Sequence, residues 1–221
     1  VELRNDILDM IRDLLVLRER LIKNKKQLLT ASKELVRVKN NPTSAFIDEH
    51  TNRLIKCIID EIKETEKKIL ELIKEDEQIE ENFDRLCSIK GVGFVNAIWM
   101  IIATNNFIDF NDPRKFGCYA GCVPFNYESG TSVYRHDRVS AFANRRIKAI
   151  LTCAAAAAIR YNENIKAYYW KKKTEGKPWK LIVNNVRNKL IHLMFAIIRS
   201  QRTYQENYVP AFNQKMQILH D

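Results

Sequence analysis

The chain has 221 residues, enough for one or two cored domains. Its 37 Lys and Arg stand against 27 Asp and Glu, a formal net charge of +10 that favours a polyanionic partner or an anionic surface. Five cysteines, an odd number without framework spacing, exclude a disulfide-stapled scaffold and point to buried free thiols in a reducing compartment.

Residues 1–39 read as one long helix. Ile7, Leu14, Leu21, Leu28 and Leu35 recur every seven residues, with Met10, Leu17, Asn24, Ala31 and Val38 as companions. That pattern predicts a coiled-coil seam, with Asn24 setting register. The text is already helical at Val1, so a longer parent protein with an upstream segment is expected. Asn40, Asn41 and Pro42 break the helix. A second helix follows, with Ile55, Ile62 and Ile69 on one stripe and Ile58, Leu72 and Ile79 beside it. The two helices read as an antiparallel hairpin, or as arms that pair with another subunit. Each arm would reach roughly 50 Å.

Charge divides the chain further. Residues 48–81 hold 12 acids and six bases, whereas 160–202 hold 11 bases and two acids. The basic half is where phosphate is expected. We divide the chain into a coiled-coil linker and oligomerisation region at 1–81, a compact helical domain at 82–205 and a tail at 206–221.

The compact part opens on Leu86-Cys87-Ser88-Ile89-Lys90-Gly91-Val92-Gly93. This is a helix-hairpin-helix pattern. Gly91 and Gly93 permit a tight reversal whose backbone N–H groups can hold a phosphate without reading bases. The alternative is a purely structural helix turn. Helical text runs to about Thr104, and its longest apolar run, Ala97 to Ala103, is far short of the roughly 20 residues of a membrane span. No signal-peptide pattern precedes the first helix. Asp112-Pro113 starts a short helix through Ala120. Gly121 to Asp137 is the least regular segment. Helix returns from Ser140 to about Tyr161 and continues or restarts at Asn162. It breaks at Gly176-Lys177-Pro178, then resumes over Trp179 to Ser200. The fold class is therefore all-α: long helical arms followed by a compact helical domain.

Two regions carry candidate chemistry. Ser129-Gly130 sits in a loop beside Arg135, Arg138, Arg145 and Arg146, which can neutralise a phosphate. Ser-Gly is also an ordinary turn pair, and His136 is either a general acid–base group or a polar loop residue. In the second region, Tyr161, Tyr168, Tyr169 and Trp170 precede Lys171, Lys172 and Lys173. Aromatics beside lysines suit unpaired bases and backbone phosphate, or they simply cap the core. Lys177, Arg187 and Lys189 extend the basic set, and the Lys189 stem can pass the apolar face of its helix. Cys118 and Cys122 alone do not make a closed metal site, and none is assigned on this chain.

An ordered series of motifs makes the reading more specific. It runs Ile89-Lys90-Gly91-Val92-Gly93, then Phe107, Phe110, Pro113 and Phe116, then Tyr119-Ala120-Gly121-Cys122-Val123-Pro124. Ser129-Gly130, Arg138-Val139-Ser140, Asn144-Arg145-Arg146-Ile147, Gly176-Lys177-Pro178 and Asn185-x-Arg187-x-Lys189-Leu190 follow in order. The series resembles the C-terminal domain of the IS110/IS116/IS902 transposases, and the preceding helices resemble that family's linker. The resemblance implies a recombinase that binds DNA, with a structured guide RNA in some members, in the prokaryotic cytoplasm and without a membrane. It implies a serine nucleophile that falls on Ser129, with Ser132 and Ser140 as neighbours. It also implies a separate N-terminal nuclease-like domain whose carboxylates hold a divalent metal such as Mg2+. No counterpart of that domain is present here, so the 221-residue chain is expected to be inactive by itself and to contain no cofactor. One departure stands out. The family commonly reads Ser-Lys-x-Gly-Asn where this chain has Ser140-Ala141-Phe142-Ala143-Asn144, so that lysine contact is lost or moved. The competing reading is a non-catalytic helix-hairpin-helix DNA-binding or assembly module with a coiled-coil dimeriser.

Overall fold

A computed structural model describes residues 6–38, 42–123, 125–129, 133–138 and 142–206, with side chains described outside 35–42 and 124–141. The chain divides into two compact units, Val1–Glu80 and Glu81–Asp221.

The first unit is a helical hairpin of α1 (Asp6–Val38) and α2 (Pro42–Lys74). Cross-links show that the helices run antiparallel. The Arg18 Nε donates to Glu66 Oε1 at 2.6 Å, and the Ser32 hydroxyl donates to Asp48. The α2 stripe forms as its spacing predicts, with Ile55, Ile62 and Ile69 buried. The α1 seam does not. Leu8, Ile11 and Leu15 are buried, whereas Ile7, Leu14, Leu21 and Leu28 are half-buried and Met10, Leu17, Asn24 and Ala31 are exposed. Leu8, Leu15, Ile22 and Leu29 form a second seven-residue series one position along, and its N-terminal half is the one that faces inward. The side chains of Leu35 and Val38 lie outside the described residues.

The helix predicted through residue 81 breaks at Glu75-Asp76. The Asp76 carboxylate accepts from Ile79 N at 3.0 Å, so it caps α3 (Glu77–Cys87). The turn 88–93 then leads into α4 (Phe94–Thr104), whose Ala97 to Ile102 are all buried. Three consecutive left-handed residues, Asn105, Asn106 and Phe107, turn the chain after α4. They are held from two sides: buried Asn82 donates to Asn106 Oδ1 at 3.0 Å, and Phe107 N donates to Thr104 Oγ1 at 2.9 Å. α5 (Pro113–Tyr119) starts as expected, with Asp112 accepting from Arg114 N at 2.8 Å. Phe116 lies edge-on to Phe110 and 5.7 Å from Phe195, which fastens α5 to the last helix.

The segment read as least regular contains an antiparallel hairpin of β1 (Phe125–Ser129) and β2 (Val133–Arg138). It is the sole sheet among the described residues, and the remainder of the fold is helical as the patterning predicts. α6 (Arg145–Tyr161) begins later than the expected Ser140, because Asn144 caps it and accepts from Ile147 N at 3.1 Å. α7 (Glu163–Thr174) restarts at once, capped by buried Asn162. α8 (Trp179–Ser200) has the predicted bounds. By length and composition α8 could cross a membrane, which the apolar-run criterion missed because Lys180, Arg187 and Lys189 interrupt it. Its Ile182, Val183, Val186, Leu190, Met194 and Phe195 are buried where it packs with α5, α6 and α7. The thiols depart from expectation: Cys122 is buried, but Cys57 and Cys153 are exposed.

Candidate nucleic-acid interface

The glycine turn is built for packing first. Ile89 and Val92 are buried anchors on either side of Lys90-Gly91. Gly91 has φ +108, and a Cβ there would lie 2.6 Å from the N, Cα and Cβ of Ala158. Glycine on one side and alanine on the other let the turn lie directly on α6. Gly93 is different. It is exposed, has nothing within 4 Å of a would-be Cβ and caps α4 without a side-chain bond.

The chain's end returns to this turn. Tyr204 N donates to Ser88 Oγ at 2.8 Å, and Asn162 Nδ2 donates to the Tyr204 hydroxyl at 2.9 Å. The Lys90 ammonium pairs with the Glu206 carboxylate, which also accepts from Glu163 N at 2.9 Å. The hydrogen bond between them raises the Lys90 pKa and lowers that of Glu206. The lysine inside the glycine turn is thus engaged by residues 203–206. Under this strap a cavity of about 660 Å³ opens between α7 and α8, with Tyr168, Leu193, Ala196 and Ile197 in its wall. The start of α6 does not contribute to it.

The arginines predicted to clamp phosphate gather elsewhere. Asn144 fixes the start of α6 to α5, with N donating to Tyr119 O at 2.8 Å and Nδ2 to the Tyr119 hydroxyl at 2.7 Å. Arg145 and Arg146 follow, both exposed, with no acid in the first turn. The Arg146 guanidinium stacks 4.2 Å from the ring centroid of Trp99, which belongs to α4. Arg145 and the Ala158 that receives Gly91 are 13 residues apart on one helix, or about 20 Å. The glycine turn and the arginine pair therefore mark opposite ends of α6.

Ser129 closes β1, opposite Val133, and Tyr127 stands opposite Arg135. With the two-residue period of a strand, Ser129 and Arg135 belong to the same face of the ladder. Arg138 pairs with Phe125 beyond an irregularity in β1. The side chains of Ser129, Arg135, His136 and Arg138 lie outside the described residues, as do Ser132 and Ser140 entirely.

Arg187 reaches from α8 to α6, where its Nη1 lies 3.4 Å from Thr152 Oγ1. Its buried Nε has no hydrogen-bond partner among the described residues. Nearby, Asn184 Nδ2 donates to Cys122 O at 2.8 Å, just before the hairpin. Burial raises the Cys122 pKa, against the opposing charges of Arg187 and Lys148. Arg187 is therefore a cation between helices at the base of the hairpin rather than a surface charge. Lys189 is exposed, its ammonium 4.4 Å from the Tyr168 ring centroid, and Tyr168 and Tyr169 are both half-buried. Lys171, Lys173 and Lys177 are exposed at the far end of α7, whereas Lys172 pairs with Glu175 at 2.6 Å. Sequence reasoning missed Trp99 and Thr152. No local motif marks them, because each acts through a partner at least 35 positions away, and Tyr119, which stands in the motif series, was not read as the partner of Asn144. Among the described residues no three His, Cys, Asp or Glu side chains gather as a metal-holding group.

Comparison with known proteins gives this arrangement a context. Residues 83–170 match the family described as Transposase IS116/IS110/IS902. The chain is 22% identical over 172 residues to the pilin gene-inverting protein of Moraxella bovis, covering 77% of this chain and 53% of that protein. The pilin gene-inverting protein of Moraxella lacunata matches to the same extent. An uncharacterized 43.6 kDa protein of insertion element IS110 in Streptomyces coelicolor is 25% identical over 126 residues, 57% of this chain and 31% of that protein. The chain thus spans about half the length of the gene-inverting relatives. Residues 83–170, which carry the glycine turn, α5 and α6, are thus similar to the IS116/IS110/IS902 transposases.

Proposed function

We propose that this chain is the DNA-holding, nucleophile-bearing part of a recombinase. The observation that carries the reading is the start of α6, where two exposed arginines follow the capping Asn144 in a first helical turn that holds no acid. Positive charge at a helix N-terminus is disfavoured by the helix dipole, and a bound phosphate reverses that cost. The hairpin that ends β1 at Ser129 leads into this helix. In this reading the Ser129 Oγ attacks a DNA phosphorus and forms a serine–phosphate ester. One phosphorus–oxygen bond to a sugar breaks, and the departing sugar oxygen takes up a proton. Attack by another sugar hydroxyl reverses the step, rejoins a strand and frees the serine. Arg135, Arg138, Arg145 and Arg146 balance the phosphate charge. A divalent metal such as Mg2+, held by carboxylates of a separate nuclease-like domain, would polarise the phosphate. This chain's own role is to bind, orient and attack. Gly91 and Gly93, Lys171, Lys172, Lys173 and Lys177, and Lys189 extend the contact surface to DNA, whereas Arg187 serves between α6 and α8, and a structured guide RNA is a second ligand of the same basic surface.

Neutralising six phosphates gives a log–log salt slope of about −5 for duplex DNA. Replacing Arg145 and Arg146 together with Ala should reduce that slope by about 2 and weaken binding across all sequences alike. Fluorescence anisotropy of a labelled duplex from low to physiological salt makes the measurement. An affinity indifferent to salt would exclude this interface.

The helical hairpin supports self-association as a companion role. Two helices bury one stripe each, and Met10, Leu17, Phe46, Leu54 and Leu70 remain exposed on them. We expect sedimentation of the wild-type chain to give a dimer or higher species. Leu17→Asp with Leu54→Asp should return it to monomer with helix content unchanged, because both side chains lie outside the buried stripe. A wild-type chain that stays monomeric at high concentration removes the oligomer from the proposal.

A further inference from the structure

The chain has three tryptophans, and two of them are exposed at one connection. Trp170 lies one turn before the end of α7 and is 51% exposed; Trp179 opens α8 and is 60% exposed. α7 buries only Ile165, so its outer half contributes nothing to the core. Lys171, Lys173, Lys177 and Lys180 are exposed around the two rings, and the Lys173 ammonium lies 4.6 Å from the Trp170 ring centroid. The single carboxylate in the connection, Glu175, is paired with Lys172. Large flat rings left in water among exposed cations match a partner that is both polyanionic and aromatic. A duplex presents its phosphates but keeps its base faces stacked on each other. An unpaired strand presents both.

We infer that the α7–α8 connection is a platform for unpaired DNA, on which bases stack against Trp170 and Trp179 while the four lysines hold the backbone. The inference rests on the recombinase reading above, because breaking and rejoining DNA strands is what exposes unpaired bases. It adds a second surface with a different preference: the start of α6 takes phosphate from any duplex, and this connection discriminates for open strands.

The test compares two ligands on the 221-residue chain, an oligothymidine of about 20 nucleotides and a duplex of the same length. Tryptophan fluorescence and anisotropy report binding. The wild-type chain should bind the oligothymidine with quenched emission. Trp170→Ala with Trp179→Ala should weaken that binding by at least about tenfold while changing duplex affinity less than about twofold. Trp170→Phe with Trp179→Phe should restore most of the loss, because a ring still stacks. Duplex binding by the wild type without oligothymidine binding overturns this inference alone. Loss of both ligands to the same degree overturns it too, by showing phosphate contact without stacking. Tighter binding of oligouridine than of oligothymidine overturns the assignment to DNA. Failure of the wild type to bind either DNA at low salt brings down the recombinase reading itself.

Discussion

In the recombinase proposed above, Ser129→Ala should abolish strand cleavage and covalent capture, a loss of at least roughly 10⁴-fold, while DNA affinity stays within about twofold. Alanine removes the attacking oxygen and leaves the arginines at the start of α6 untouched. The position suits the substitution. Ser129 is the last residue of β1, paired with Val133. A suicide substrate that traps the protein–DNA ester, followed by peptide mapping, identifies the linked residue. An adduct at Ser132 or Ser140 would move the nucleophile along the chain but keep the chemistry. Unimpaired recombination by the alanine variant would return Ser129-Gly130 to an ordinary hairpin turn.

Gly91→Ala should destabilise the second unit by about 3 to 5 kcal/mol, the sum expected for a left-handed alanine and an overpacked contact. Backbone φ is +108, and the added carbon would meet Ala158 main-chain atoms at 2.6 Å, so no rotamer relieves it. For a unit of this size the unfolding midpoint should fall by about 10 °C. Gly93→Ala is the control: its space is open, and stability should change by less than about 1 kcal/mol. Calorimetry of both variants, with duplex affinity measured below the lower midpoint, separates packing from phosphate binding. If Gly91→Ala melts like the wild type yet loses DNA, the turn is a phosphate nest and its contact with α6 is incidental.

Legibility in the sequence followed how local each determinant is. Ile55, Ile62 and Ile69 mark the buried face of α2 because no competing series of apolar residues runs beside them as fully. In α1, two apolar series of period seven lie one residue apart, and periodicity cannot choose between them; the facing helix does. The caps at Asp112, Asn144 and Asn162 use side chains two or three residues from the amides they bind, so helix starts are readable to within a few positions. The β-hairpin is polar along most of its length, and its alternation gave no apolar face to read. In the candidate site, residue types were legible and their neighbours were not. Arg146 is an evident cation, but Trp99 beneath it comes from a helix 47 positions earlier. Nothing in the local sequence around Lys90 marks Glu206, 116 positions away, as its partner.

That return sets the order in which the second unit can be completed. Ser88 and Tyr204 are 116 positions apart, as are Lys90 and Glu206. Closing a loop of that length costs about 4 kcal/mol of chain entropy, which the intervening helices must first offset by packing on one another. Synthesis proceeds from the N-terminus, so the glycine turn leaves the ribosome long before the strap that engages its lysine. Throughout that interval the Lys90 ammonium stands in solvent on a partly assembled domain. A chain stopped short of Glu206 keeps the lysine uncovered permanently.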